Sequence, residues 1–118
     1  MQKDIPMEMT VEKMGDVTVV GLPGEQLDAS NAKEFKSHIA PVLEANSKVV
    51  FDMSQLRFVD SSGLGAILSC LRLLNAAGGD LKLCGLSKPV RALFELVRMH
   101  KIFDIYVTKE EAVRTFQT

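Results

Sequence analysis

Residues Lys48 to Cys84 read KVVFDMSQLRFVDSSGLGAILSCLRLLNAAGGDLKLC. The first six, Lys48 to Met53, form a short β-branched and aromatic run, the pattern of a strand covered on both faces. Beyond Phe58, apolar residues recur at helical spacing, at Leu64, Ile67, Leu68, Leu71 and Leu74. Ala77-Gly78-Gly79 stops that helix. Asp80 to Cys84 then alternates apolar and polar residues, which reads as a second strand. A strand, a helix and a strand joined this closely imply a right-handed crossover between parallel neighbours.

The flanking segments extend the same alternation. Upstream, Met7 to Lys13 and Val17 to Leu22 read as strands, with Met14-Gly15-Asp16 as a tight hairpin turn. Pro23 to Gln26 is a loop. Asp28, Ser30 or Asn31 caps the next helix, and Asn31 with Glu34 resembles a capping pair. That helix carries Phe35, Ile39, Val42 and Leu43 on one face. Pro41 within it predicts a kink near Ser37 to Ala40. Downstream, Ser87 caps a helix with Pro89 in its first turn and apolar positions Val90, Leu93, Phe94 and Val97. Ile102 to Val107 reads as a last strand. Thr108 and Glu111 form a capping box for a terminal helix bearing Ala112 and Phe116. The expected fold is α/β: one domain over residues 1–118, with a mixed sheet covered by about four helices.

Composition narrows the function. The chain has 118 residues, 47% apolar and 25% charged, with a formal net charge of −1. That balance advertises neither a nucleic-acid groove nor a membrane patch. The apolar runs fall short of the roughly 20 residues that span a bilayer. The first residues, MQKDIPMEM, contain no apolar signal core. A cytoplasmic protein without direct nucleic-acid contact is expected. Cys70 and Cys84 lie in apolar runs at no metal-ligand spacing and read as reduced core residues.

Two questions attach to the helix after Phe58. Beside its main stripe runs a second, Ala66, Cys70, Leu73 and Ala77. Neighbouring helices bury both stripes, or part of the second remains as a docking surface. The helix also opens on Asp60-Ser61-Ser62-Gly63. The first N–H groups of a helix lack internal partners, and its aligned peptides favour negative charge there. Either Asp60 or Ser61 can cap it, and Gly63 and Gly65 leave room for close approach. The serines are thus simple capping residues or a chemical target.

Enzymatic readings find little support. Gly-x-Ser-x-Gly and the Walker phosphate loop are both missing. His38 and His100 are isolated on presumed solvent faces. Asp28 and Asp60 could form an acid pair, but no spacing brings them together. No catalytic constellation, metal site or cofactor is expected.

FVDSSGLGAIL, with the upstream VVFDMSQL and the downstream GGDLKLCGLSKPVRALFELVRMHKIFDI, resembles the STAS domain, and more narrowly the bacterial anti-sigma factor antagonists. The likeness runs from about Val17 to Phe116. It implies a sheet of four or five strands packed by helices. It also implies a partner switch. The unmodified antagonist binds an anti-sigma factor that is also a serine kinase, which releases a sigma factor for transcription. The kinase phosphorylates the serine after the aspartate and the complex parts; a serine phosphatase acting on the phosphorylated form resets it. By position the target is Ser61, and the implied partner surface comprises Asp28, Asp60, Ser61, Ser62, Gly63 and Leu64. Asp28 stands for the aspartate of the family's Gly-x-Leu-Asp loop, here Gly24-Glu25-Gln26-Leu27-Asp28, one residue longer. A second reading is a STAS subunit of a lipid-transport or stress-signalling assembly, docked without phosphorylation.

Overall fold

The computed structural model describes residues 8–117. The expected start of the first strand at Met7 lies outside them. Strand β1 (Thr10–Met14) turns at Gly15 and Asp16 into β2 (Val17–Gly21), and Met14 pairs with Val17. Gly15 has φ +69°, the left-handed conformation that a two-residue hairpin turn takes at low cost only with glycine or a few polar residues. Helix α1 follows (Ala32–Ala45), with a two-residue strand, β3 (Gln26–Leu27), before it. Then come β4 (Lys48–Asp52), a second two-residue strand, β5 (Phe58–Val59), and helix α2 (Ser61–Ala76). Strand β6 (Asp80–Cys84), helix α3 (Lys88–Leu96), a 3₁₀ turn (Met99–Lys101), strand β7 (Asp104–Tyr106) and helix α4 (Lys109–Phe116) complete the order.

The main sheet runs β1-β2-β4-β6-β7. Only β1–β2 is antiparallel, as the hairpin requires; β2–β4, β4–β6 and β6–β7 are parallel. β4 is central, and Val49, Val50 and Phe51 are fully buried. The pleat sends Val49 and Phe51 into a core with Phe35 and Ile39 of α1, Ile67 and Leu74 of α2, and Phe94 of α3. Phe35 meets Phe51 edge-on, with ring centroids 6.0 Å apart. Val50 points the other way, into a smaller core with Val17, Val19 and Cys84 under Ala112 and Val113 of α4. The one buried hydroxyl in β2 is accounted for: Thr18 Oγ1 donates to Asn46 Oδ1 at 2.8 Å, and Asn46 Nδ2 donates to the Val42 carbonyl at the end of α1.

Several local expectations change. β3 and β5 pair in parallel as a separate small sheet, where only a loop and a helix approach were expected. The reading of Pro41 as lying within its helix holds, since α1 runs on to Ala45. Pro41 and Ser37, whose carbonyl loses its N–H partner to the ring, are both exposed to water. Asn31 occupies the first cap of α1 but does not cap with its side chain; Oδ1 accepts from the Asp28 N–H and Nδ2 donates to the Gln26 carbonyl. Ser87 likewise turns its hydroxyl to the Leu56 carbonyl at 2.8 Å, which fastens α3 to the β4–β5 connection. Val97 is 45% exposed, because α3 ends before it and Arg98 adopts φ +66°. The last strand is shorter than expected, since the 3₁₀ turn carries the chain to Ile102. His38 is half-buried, and its Nδ1 has no hydrogen-bond partner among the described residues.

Candidate functional site

The small β3–β5 sheet positions the site. It sets the loop before α1 beside the start of α2, through Gln26↔Phe58 and Leu27↔Val59. Each strand leads into its helix: β5 ends at Val59 and α2 begins at Ser61, with Asp60 between.

Asp60 is the N-cap of α2. Its Oδ1 accepts from the Gly63 N–H at 2.9 Å, which satisfies one of the helix's unpaired donors. Its Oδ2 accepts from the Ala29 N–H at 3.1 Å in the loop before α1. One carboxylate therefore caps α2 and ties down the neighbouring loop. The Gly63 hydrogen bond chiefly, helped by those from Ala29 and Ser62 and opposed by desolvation, holds the carboxyl below its ordinary 3.8. The loop is ordered in the same manner. Asp28 Oδ1 accepts from the Ser30 hydroxyl at 2.6 Å and the Ser30 N–H at 3.0 Å, an Asx turn. The expected acid residues do share one corner of the molecule, through Ala29, with each carboxylate engaged by backbone.

Ser61 is the first residue of α2 and is exposed, as is Ser62. With Asp60 as the cap, Ser61 has no capping duty, and its hydroxyl makes no hydrogen bond within the described residues. Gly63 and Leu64, expected on the partner surface, are buried, and for Leu64 this is the place that its position in the main apolar stripe of the helix implied. Leu64 belongs to the core beside Val59 and Ile67. Gly63 is buried, and a Cβ there would overlap the Leu27 carbonyl oxygen and lie 2.9 Å from Val59 Cγ1. The close approach that this glycine permits is of the chain to itself. Gly65 is the open one: a Cβ there would meet nothing within 4 Å.

Between α1 and α2 lies a surface groove of about 460 Å³. Lys33 and Lys36 line it from α1, and Ser62, Gly65 and Ala66 from α2. The two lysines were not singled out in the sequence. Only the distance of three along a helix hints that they share a face, and nothing in their own neighbourhood names α2 as the opposite wall. Phe58, on β5 just before the serines, is 54% exposed and was likewise passed over. The second apolar stripe of α2 splits: Ala66 and Cys70 are buried, whereas Leu73 is 59% exposed and Ala77 is open. Cys70 and Cys84 are free and buried, and burial pushes each thiol up to about 12. Among the described residues no group of three or more His, Cys, Asp or Glu is arranged to hold a metal ion, and no helix is long and apolar enough to cross a membrane.

A family model described as the STAS domain matches residues 8–112. The anti-sigma F factor antagonist of Paenibacillus polymyxa is 29% identical over 109 residues, covering 91% of this chain and 92% of that protein. Among solved structures, TM1081 of Thermotoga maritima superimposes with a TM-score of 0.86 at 25% identity, over 93% of this chain and 95% of that one. The anti-sigma factor antagonist SpoIIAA in its unphosphorylated form gives 0.77 at 25% identity, over 93% and 96% of the two chains. SpoIIAA of Bacillus in the phosphorylated form shares the fold, with a TM-score of 0.69 at 24% identity, over 92% and 99%.

Proposed function

The chain belongs to the STAS-domain family, and on that premise we propose that it is an anti-sigma factor antagonist switched by phosphorylation of Ser61. It binds an anti-sigma factor that is also a serine kinase and thereby releases a sigma factor. The kinase modifies Ser61 and the complex separates. A serine phosphatase acting on the phosphorylated form restores binding. The protein works by occupying its partner, without catalysis of its own and without touching nucleic acid, and we take its site of action to be the cytoplasm. Asp28, Asp60, Ser61 and Ser62 form the partner surface, while Gly63 and Leu64 contribute by holding the start of α2 against Leu27 and the core.

The observation that carries this reading is the division of labour between Asp60 and Ser61. Asp60 does the structural work of the cap, so the adjacent exposed hydroxyl is available for chemistry. The named relatives support it, since anti-sigma factor antagonists of similar length align along most of the chain and one has been seen both with and without phosphate. Simple electrostatics gives the switch its size. A phosphoryl group adds a charge of about −1.5 to −2. At about 8 Å and an effective dielectric near 20, each pair of like unit charges costs about 2 kcal/mol. Two such units weaken binding to a partner carboxylate by about a thousandfold.

The test has two parts. A pull-down from the native cell identifies the anti-sigma factor, and the purified pair is incubated with ATP and examined by mass spectrometry, with phosphate expected on Ser61. Dissociation constants are then measured for Ser61→Ala, expected to bind persistently, and Ser61→Asp, expected to bind weakly. Equal affinities for the two variants, or phosphate elsewhere only, would overturn the reading.

A further inference from the structure

We infer that the groove between α1 and α2 receives an acidic segment of the anti-sigma partner, with a carboxylate seated against Lys33 and Lys36. This rests on the function proposed above and specifies the chemistry of the partner at that site.

Lys33 and Lys36 are both exposed, and a spacing of three puts them on one face of α1. The ion pairs among the described residues join Lys48 to Asp16, Lys82 to Asp104 and Lys109 to Glu12. Neither groove lysine takes part in one. Two adjacent exposed cations without an ion-pair partner among the described residues leave positive charge at the lip of a concave surface, which an acidic partner would complement. The opposite wall is small and open: Gly65 admits a side chain from outside without contact, and Ser62 offers a hydroxyl donor. A carboxylate entering here gains charge-assisted hydrogen bonds from the lysines and one more from Ser62. Two lysines suit a few acidic side chains on a protein; a polyanion or a lipid surface would call for a longer basic tract, and the chain's net charge of −1 offers none.

The arrangement also explains the direction of the switch. Ser61 adjoins Ser62, which lines the groove. A phosphoryl group on Ser61 brings negative charge to the groove's edge, where it repels an incoming carboxylate and draws the same lysines to itself.

The probe is the anti-sigma factor kinase identified and purified as above, titrated against the full chain by calorimetry. Lys33→Glu with Lys36→Glu should weaken binding at least about tenfold. Gly65→Gln, which fills the groove without altering charge, should do the same. Lys101→Glu, an exposed reversal on the 3₁₀ turn, should stay within about threefold of wild type. Wild-type affinity should also fall with added salt more steeply than that of the double reversal. Circular dichroism and thermal melts confirm that each variant is folded. If both groove variants bind as wild type while Ser61→Asp remains weak, the groove inference falls and the switch stands. If Ser61→Asp binds like Ser61→Ala, or no anti-sigma factor is recovered, the switch falls and the groove inference with it.

Discussion

Asp60 engages both carboxylate oxygens with backbone N–H groups from two different segments. Its folded titration point lies below the ordinary 3.8, so it binds its proton less readily folded than unfolded. The sign follows: its stabilisation is present above that ordinary value and disappears as pH falls through the lowered one. Asp16, held low by its hydrogen bond with Lys48, acts in the same window. Urea midpoints measured from about pH 5 to about pH 2 should therefore fall less in Asp60→Asn than in wild type, and less again in Asp60→Asn with Asp16→Asn. Parallel curves for all three proteins would contradict the assigned hydrogen bonds. The two glycines beyond give a sharper contrast. Gly63→Ala drives a methyl into the Leu27 carbonyl and should destabilise by about 1–3 kcal/mol. Gly65→Ala meets nothing and gains helix propensity, which should stabilise by about 0.5–1 kcal/mol. Denaturant titration decides, and changes of the same sign would refute it. Ser61→Ala removes no cap and should stay within about 0.5 kcal/mol of wild type.

α2 and β6 could be read from periodicity, β4 from its unbroken β-branched and aromatic run, and α4 from its capping box, because each of these signals is complete within its own segment. The end of α2 was equally plain. Gly78 at φ +85° sends its N–H to the Asn75 carbonyl, and Gly79 bonds Leu74 at 2.7 Å, a Schellman stop that the Gly-Gly pair announces. β3 and β5 were hidden because two residues cannot display a period. Asn31 and Ser87 had the right chemistry for caps, but tertiary partners took their side chains, and no local pattern records such competition. At the site, the aspartate and serines were legible from the start of a helix, whereas the direction of Gly63 and the groove lysines depended on how distant elements pack. α4 shows the same dependence. Lys82, on the inner face of β6, lies beneath it with Nζ 4.7 Å from the Phe116 ring centroid and 5.6 Å from that of Tyr106. Asp104 Oδ2 stands 3.5 Å away. Phe116 thus holds the last turn of α4 against the sheet by a cation–π contact. A double-mutant cycle of Lys82→Met and Phe116→Leu should give a coupling of about 0.5–2 kcal/mol. Additive effects would show that the ring merely covers the ammonium.

Across the whole molecule, the two cysteines report on opposite faces of one sheet. Cys70 belongs to the core under α1, α2 and α3, and Cys84 to the smaller one under α4. Both are buried, with thiols pushed up to about 12, so neither should react with a thiol reagent at neutral pH in the folded protein. If the layers open together, both should label at one rate set by global unfolding; if α4 detaches first, Cys84 should label sooner. Rapid native labelling of Cys70 would contradict the packing of α1 on α2. The small β3–β5 sheet has a consequence for the kinase proposed to act on the hydroxyl beside it. Ser61 is the opening residue of a helix whose first turn is laced to another loop, so it is never offered as an extended peptide. On that proposal, the kinase's selectivity resides in a folded epitope assembled from segments remote in the chain. A synthetic fragment spanning Leu56 to Ala66, or the whole polypeptide kept unfolded in urea that the kinase tolerates, should be a poor phosphate acceptor, and nascent chains should escape the mark until they have folded.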